Sequence, residues 1–135
     1  DVCNLGLPYL VAHLEGGVAG YAYAVPYRAR PAYCYTVEDS VYVAPWARQR
    51  GVGLALLRAL LSHCEIWGAR QMVAIVGDPA ANNASIRLHE KAGFRSVGTL
   101  VGVGRKFDSW LDSLMLQRPL GHGISTSPGD PRVPA

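Results

Sequence analysis

The segment Arg48-Gln49-Arg50-Gly51-Val52-Gly53-Leu54 sets two glycines between a β-rich run and an amphipathic run, where backbone can come close to a ligand. Upstream, Tyr35 to Val43 is rich in β-branched and aromatic residues and reads as a strand with Glu38 and Asp39 in its middle. Downstream, Leu54, Leu57, Leu61 and Cys64 recur at helical spacing while Arg58, Ser62 and Glu65 mark the opposite stripe, which predicts a helix from Val52 to Trp67. A glycine loop that opens a helix offers unpaired N–H groups and the positive end of the helix dipole, and both suit phosphate or pyrophosphate. The chemistry expected here is binding of a phosphorylated cofactor.

Neither Gly-x-x-x-x-Gly-Lys-Ser/Thr nor Gly-x-Gly-x-x-Gly occurs, so nucleotide hydrolysis and dinucleotide binding lose their usual support. No nucleophile elbow accompanies the histidines, which leaves a triad built on Ser40 or Cys34 without a motif. Arg28 and Arg30 lie in a loop bounded by Pro26 and Pro31, where a guanidinium could clamp the carboxylate of an amino-acid-like molecule.

The pattern Arg-x-x-Gly-x-Gly from Arg48 to Gly53 resembles the acyl-CoA pyrophosphate loop of the GNAT superfamily of N-acetyltransferases, written Gln/Arg-x-x-Gly-x-Gly/Ala. About thirty residues on, Asn82, Ser85, Leu88, Glu90, Lys91, Gly93 and Phe94 match the superfamily's second motif, with His89 where most members have Tyr. Leu88-His89-Glu90 is the form usual in phosphinothricin N-acetyltransferase-like enzymes. Val18 to Ala24, Thr36-Val37-Glu38 before Val41-Tyr42-Val43, and Lys106 with Trp110 and Asp112 agree with that subgroup, from about Leu10 to Leu120.

The resemblance implies an acetyl-CoA-dependent N-acetyltransferase acting on the primary amine of a small amino-acid-like substrate of the phosphinothricin, methionine sulfoximine or methionine sulfone type. An ammonium has no lone pair, so a base must take the amine's proton. Glu38 is the expected base, with Asp39 as the weaker substitute, because partial burial in an apolar strand raises a carboxyl pKa toward working pH. By resemblance, backbone N–H groups of Val41, Tyr42 and Val43 hold the thioester carbonyl and pantetheine arm. Arg48, Gln49, Arg50, Gly51, Val52, Gly53 and Leu54 surround the pyrophosphate, and Asn82 bonds the pantetheine region. His89 takes the place of a tyrosine that protonates the departing thiolate, with a buried packing role as its alternative. Two rival readings are a module that binds acyl-CoA without turnover and an acetyltransferase of a protein or polyamine amine.

Those residues need a frame. Tyr9 to Glu15 and Val18 to Val25 predict a hairpin turning at Gly16-Gly17, Met72 to Val76 a short buried strand, and Asn83 to Ala92 a second helix closed by Gly93. Phe94 to Val103 and Trp110 to Gln117 predict two last strands hinged through Arg105 to Ser109. Strands alternating with helices in the middle and pairing as hairpins at the ends imply an α/β fold with a mixed, mostly antiparallel central sheet flanked by helices, the superfamily's layout. One domain is expected over residues 1–120, with a Gly/Ser/Pro-rich disordered tail over 121–135. Relatives begin with another strand and two helices, so the chain reads as N-terminally truncated.

Half of the 135 residues are hydrophobic, enough for one core and too few for a second domain. No apolar run reaches a membrane span and no leader opens the chain, which predicts a cytoplasmic protein with no membrane partner. The net charge of +3 is scattered along the chain, without the basic stripe and interleaved aromatics of a nucleic-acid binder. Cys3, Cys34 and Cys64 lack metal-ligand spacing and read as reduced, buried thiols, with no metal. Apolar sheet edges leave room for a homodimer.

Overall fold

The computed structural model describes residues 6–128. Six strands form one sheet: β1 (Tyr9–Leu14), β2 (Gly17–Pro26), β3 (Thr36–Val43), β4 (Gln71–Gly77), β5 (Arg95–Lys106) and β6 (Ser109–Pro119). Their order is β1-β2-β3-β4-β6-β5, and only β3 and β4 run parallel. The crossover between those two is α1 (Val52–Trp67), while α2 (Asn83–Lys91) links β4 to β5.

Two hairpins are tighter than their sequences suggest. The first turns at Glu15-Gly16, one residue before the expected pair, and both have positive φ, 53° and 81°. The second turns at Phe107-Asp108, with φ of 49° and 60°, so that β5 and β6 lengthen toward each other and absorb most of the expected hinge. Paired positive φ values match the right-handed twist of hairpin strands, which outweighs the poor fit of a phenylalanine there.

α1 follows its predicted span, ending at Gly68, whose φ of 114° lets its N–H reach the Cys64 and Glu65 carbonyls. Its buried stripe is wider than the four residues read from spacing. Val52, Leu56, Leu57, Leu60, Leu61 and Cys64 are buried, whereas Leu54 is half-buried at the helix start. The stripe packs on the sheet face that carries Ala22, Ala24, Val37, Met72, Ala74 and Leu116. Leu57 is fully buried there, so Leu57→Ala should cost about 3 kcal/mol, read as a fall in denaturation midpoint. The opposite face of the sheet carries a ladder of stacked rings, Tyr9, Tyr21, Tyr23 and Tyr42, with neighbouring centroids 5.1–6.3 Å apart.

The chain after Gly121 does not leave the fold at once: Arg70 donates to the carbonyls of Gly123 (2.7 Å), Thr126 (3.0 Å) and Ser127 (3.4 Å), pinning this segment by polar bonds instead of apolar burial. The remainder of the expected tail, 129–135, lies outside the described residues. One expectation fails, that for the cysteines: they are not all free, because Cys34 is disulfide-bonded while Cys64 is a buried thiol.

Candidate functional site

β3 and β4 are joined for only three rungs, Thr36 to Gln71, Val37 to Met72 and Glu38 to Val73. Beyond Glu38 the strands part, although β3 continues to Val43 and β4 to Gly77. β2 stays paired to β3 through Val43. The N–H of Ala44 donates to Ala19 O (2.7 Å) and the N–H of Tyr27 to Thr36 O (3.1 Å), so the even-numbered residues of β3 turn their backbone to β2. By alternation Val41 and Val43 turn theirs toward β4, which has moved away. Tyr42 cannot serve as a backbone donor in this gap, because its N–H faces β2.

The gap opens into a cleft of about 970 Å³ whose walls come from β3, the loop before α1, the end of β4, and α2. Val41, Tyr42, Val43, Arg48, Gln49, Gly51, Val52, Gly53, Leu54 and Asn82 all line it, so the expected cofactor-binding residues meet at one place, with Arg50 the exception. Arg50 forms a 2.6 Å ion pair with Glu15. Gly51 is the N-cap of α1 with φ 78°, and no side chain caps that end. The first N–H groups of the helix therefore face the cleft unclaimed. Space lies open where a Cβ on Gly51 would sit, so its backbone angle is what requires glycine. At Gly53 the reason differs: a Cβ there would meet Val43 Cγ2 at 3.3 Å and Leu88 Cδ2 at 3.4 Å, so both side chains would have to give by a few tenths of an ångström.

Arg48, Arg87 and Lys91 are the charged residues lining the cleft, and no acid accompanies them. Arg87 and Lys91 did not figure among the expected site residues. Their i, i+4 spacing on α2, beside the Ser85 and Leu88 that also line the cleft, was the available signal. Asn82 spends both N–H groups on the carbonyls of Gly77 (2.8 Å) and Asp78 (3.1 Å), which stitches the turn after β4 and leaves its oxygen as the acceptor.

Glu38 projects from the opposite face of β3, half-buried, at the last rung before the strands part. Burial first, and the charge of Asp39 second, raise its pKa above the ordinary value. Arg28 and Arg30 are exposed beyond the Glu38 end of the strand and do not line the cleft. Arg28 lies 5.0 Å over the Tyr27 ring. His89 does not occupy the position of a proton donor to the cleft. Its Nε2 is 2.6 Å from Asp39 Oδ2, its Nδ1 is 2.8 Å from the Ser85 carbonyl oxygen, and the ring is only 4 % exposed. Both nitrogens are engaged away from solvent.

An open helix start, a gap edged by free strand N–H groups and an acid-free cationic lining together fit a phosphorylated thioester cofactor. The family comparison agrees: residues 4–94 match the Acetyltransferase (GNAT) family. The chain belongs to that family. It is 50% identical over 127 residues to a phosphinothricin N-acetyltransferase of Alcaligenes faecalis, covering 94% of this chain and 64% of that protein. An L-methionine sulfoximine/L-methionine sulfone acetyltransferase of Salmonella typhimurium is 41% identical, over 86% of this chain and 67% of the relative. A crystal structure of a GNAT superfamily phosphinothricin acetyltransferase from Sinorhizobium meliloti in complex with AcCoA superposes with a TM-score of 0.88 at 47% identity, over 93% of this chain and 67% of that one. The mixed, mostly antiparallel sheet with its helices is the GNAT fold. The chain spans a little under two thirds of the length of the Alcaligenes relative. No helix among the described residues is long and apolar enough to cross a membrane.

Proposed function

We propose that this chain binds acetyl-CoA in the cleft between β3 and β4 and transfers its acetyl group to the primary amine of a small amino-acid-like acceptor. The observation that carries this reading is the parting of β3 from β4 beside an uncapped, cation-flanked helix start. Bound acetyl-CoA supplies an acetyl group activated as a thioester. Arg48, Arg87 and Lys91, with the first N–H groups of α1, hold the phosphates. The N–H groups of Val41 and Val43 take the pantetheine arm and the thioester oxygen, and a preorganised donor of this kind contributes roughly 3 kcal/mol in a dry site.

Glu38 accepts the proton that the amine must lose, directly or through one water, as the nitrogen bonds to the acetyl carbon and the carbon–sulfur bond breaks. Its raised pKa makes it a better base near neutrality and also sets an acidic limb, with the rate rising as pH climbs through that value. Arg28 and Arg30 are the proposed carboxylate clamp. Both sit at the Glu38 end of the sheet, and neither forms an ion pair among the described residues. The relatives' names support phosphinothricin, methionine sulfoximine and methionine sulfone as acceptors. A cytoplasmic enzyme suits this donor, with the Cys34 disulfide as the observation on the other side. The exposed Val101, Val103 and Trp110 of the β5–β6 hairpin are what a homodimer would cover.

Calorimetric titration with acetyl-CoA, followed by thiol release with those three amines, tests the proposal. Binding with turnover that Glu38→Gln abolishes, together with the acidic limb, supports it. Binding without turnover favours an acyl-CoA-binding module. Absence of binding removes both.

A further inference from the structure

Asp39 and His89 are the polar residues buried among the described ones, and the chemistry proposed above uses neither. A buried ion pair gains little stability over apolar side chains of the same size, because desolvation offsets the attraction. What such a pair does supply is direction. His89 has an acceptor on each nitrogen, Asp39 Oδ2 at 2.6 Å and the Ser85 carbonyl at 2.8 Å, so both nitrogens must donate. The ring is an imidazolium with Asp39 as its counter-ion. Phe94 closes the site with an edge-on ring 4.9 Å away.

The pair's location matters as much as its charge. Asp39 is the residue immediately past Glu38, the last rung that joins β3 to β4. His89 belongs to α2, whose Ser85 and Leu88 line the far wall of the cleft. The bond therefore runs from the vertex of the gap to its opposite wall.

We propose that the Asp39–His89 ion pair is a clip that fixes the width of the cofactor cleft, tying the strand of Glu38, Val41 and Val43 to the helix of Ser85 and Leu88, and that it places a fixed negative charge beside the base. His89 is thus a positioning residue. This inference rests on the assignment of the cleft to acetyl-CoA.

The groups facing the pair come from three elements. On β3, Glu38 is raised by burial and then by Asp39. On α1, the Cys64 thiol is pushed up to about 12 by the same two causes in the same order. On α2, burial alone pulls the His89 imidazole down, but the bond to Asp39, its charge and the Ser85 carbonyl reverse this and leave it raised. From β2 and β4, Ala24, Val25, Met72 and Val73 stand opposite Asp39 and its neighbours and do not titrate.

Asp39→Asn keeps the shape of the clip, since the amide donates to a neutral ring that still donates to Ser85. His89→Phe removes both bonds, and His89→Gln keeps one should the Phe variant fail to fold. The measurements, on the whole 135-residue chain, are acetyl-CoA affinity by calorimetry and NMR titration of the Glu38 carboxyl and the His89 ring. In Asp39→Asn, the His89 ring should become neutral at pH 7, Glu38 should titrate at lower pH, and affinity should stay near wild type. In His89→Phe or His89→Gln, affinity should fall roughly tenfold or more as the donors lose their aim. Wild-type affinity in the folded His89 variants overturns the clip, and an unmoved Glu38 in Asp39→Asn overturns the charge placed beside the base. If Glu38→Gln keeps full turnover while these shifts appear, the base assignment fails and the clip stands.

Discussion

The two halves of β3 both alternate valine with polar or aromatic residues, yet they do different work. Thr36 to Glu38 is bonded on both sides, to β2 and to β4, and behaves as frame. Ser40 to Val43 keeps only its bonds to β2 and offers the other edge to the cleft. The difference lies in the path of the partner strand, which leaves β3 after Glu38. A site built this way is made of main chain, held rigid on one edge and left reactive on the other.

The comparison breaks most sharply when the free edge is removed without touching the bonded one. Proline at position 43 deletes an N–H that no strand uses, whereas Val43→Ala keeps it. Val43→Pro should weaken acetyl-CoA binding by about 3 kcal/mol, roughly a hundredfold, with the far-ultraviolet spectrum unchanged. Val43→Ala should bind nearly as the parent does. Calorimetry on the two variants decides it, and equal effects would mean that the contribution comes from side-chain packing.

Next in size is the charge at the mouth. Arg87→Ala should lose about 1.5 kcal/mol of acetyl-CoA affinity, as expected for one charge-assisted bond to phosphate, and the loss should shrink at high salt. Arg50→Ala is the internal contrast, because Arg50 is committed to Glu15 outside the cleft. Its effect on affinity should be the smaller one.

Much of this was legible in the sequence because the signals are local. Gly51 and Gly68 bracket α1, and the glycine loop with Asn82 marks the cleft. Other features depend on partners far along the chain. Which β3 residues turn their backbone to the gap is set by the register with β2, so Tyr42 could not be separated from Val41 and Val43 by pattern alone. His89 looks reactive in a motif but finds Asp39 fifty positions away. Residues 121–128 read as tail because their order comes from Arg70 instead of from apolar side chains of their own.

The smallest expected effect concerns how the frame and the site are held together. His89 has a pKa raised above 6.5, so its pair with Asp39 contributes stability that is complete below 6.5 and is lost as pH rises through the raised value. Thermal midpoints of the parent chain should therefore decline across that window. Asp39→Asn removes both Asp39 contributions and leaves burial, which lowers the pKa, against the Ser85 carbonyl, which raises it, so the slope there should shrink. Cys64 does not confuse the reading, since its thiol stays protonated until about 12. A parent slope that survives unchanged in Asp39→Asn would mean that another group carries the titration and that β3 is tied to α2 by packing alone.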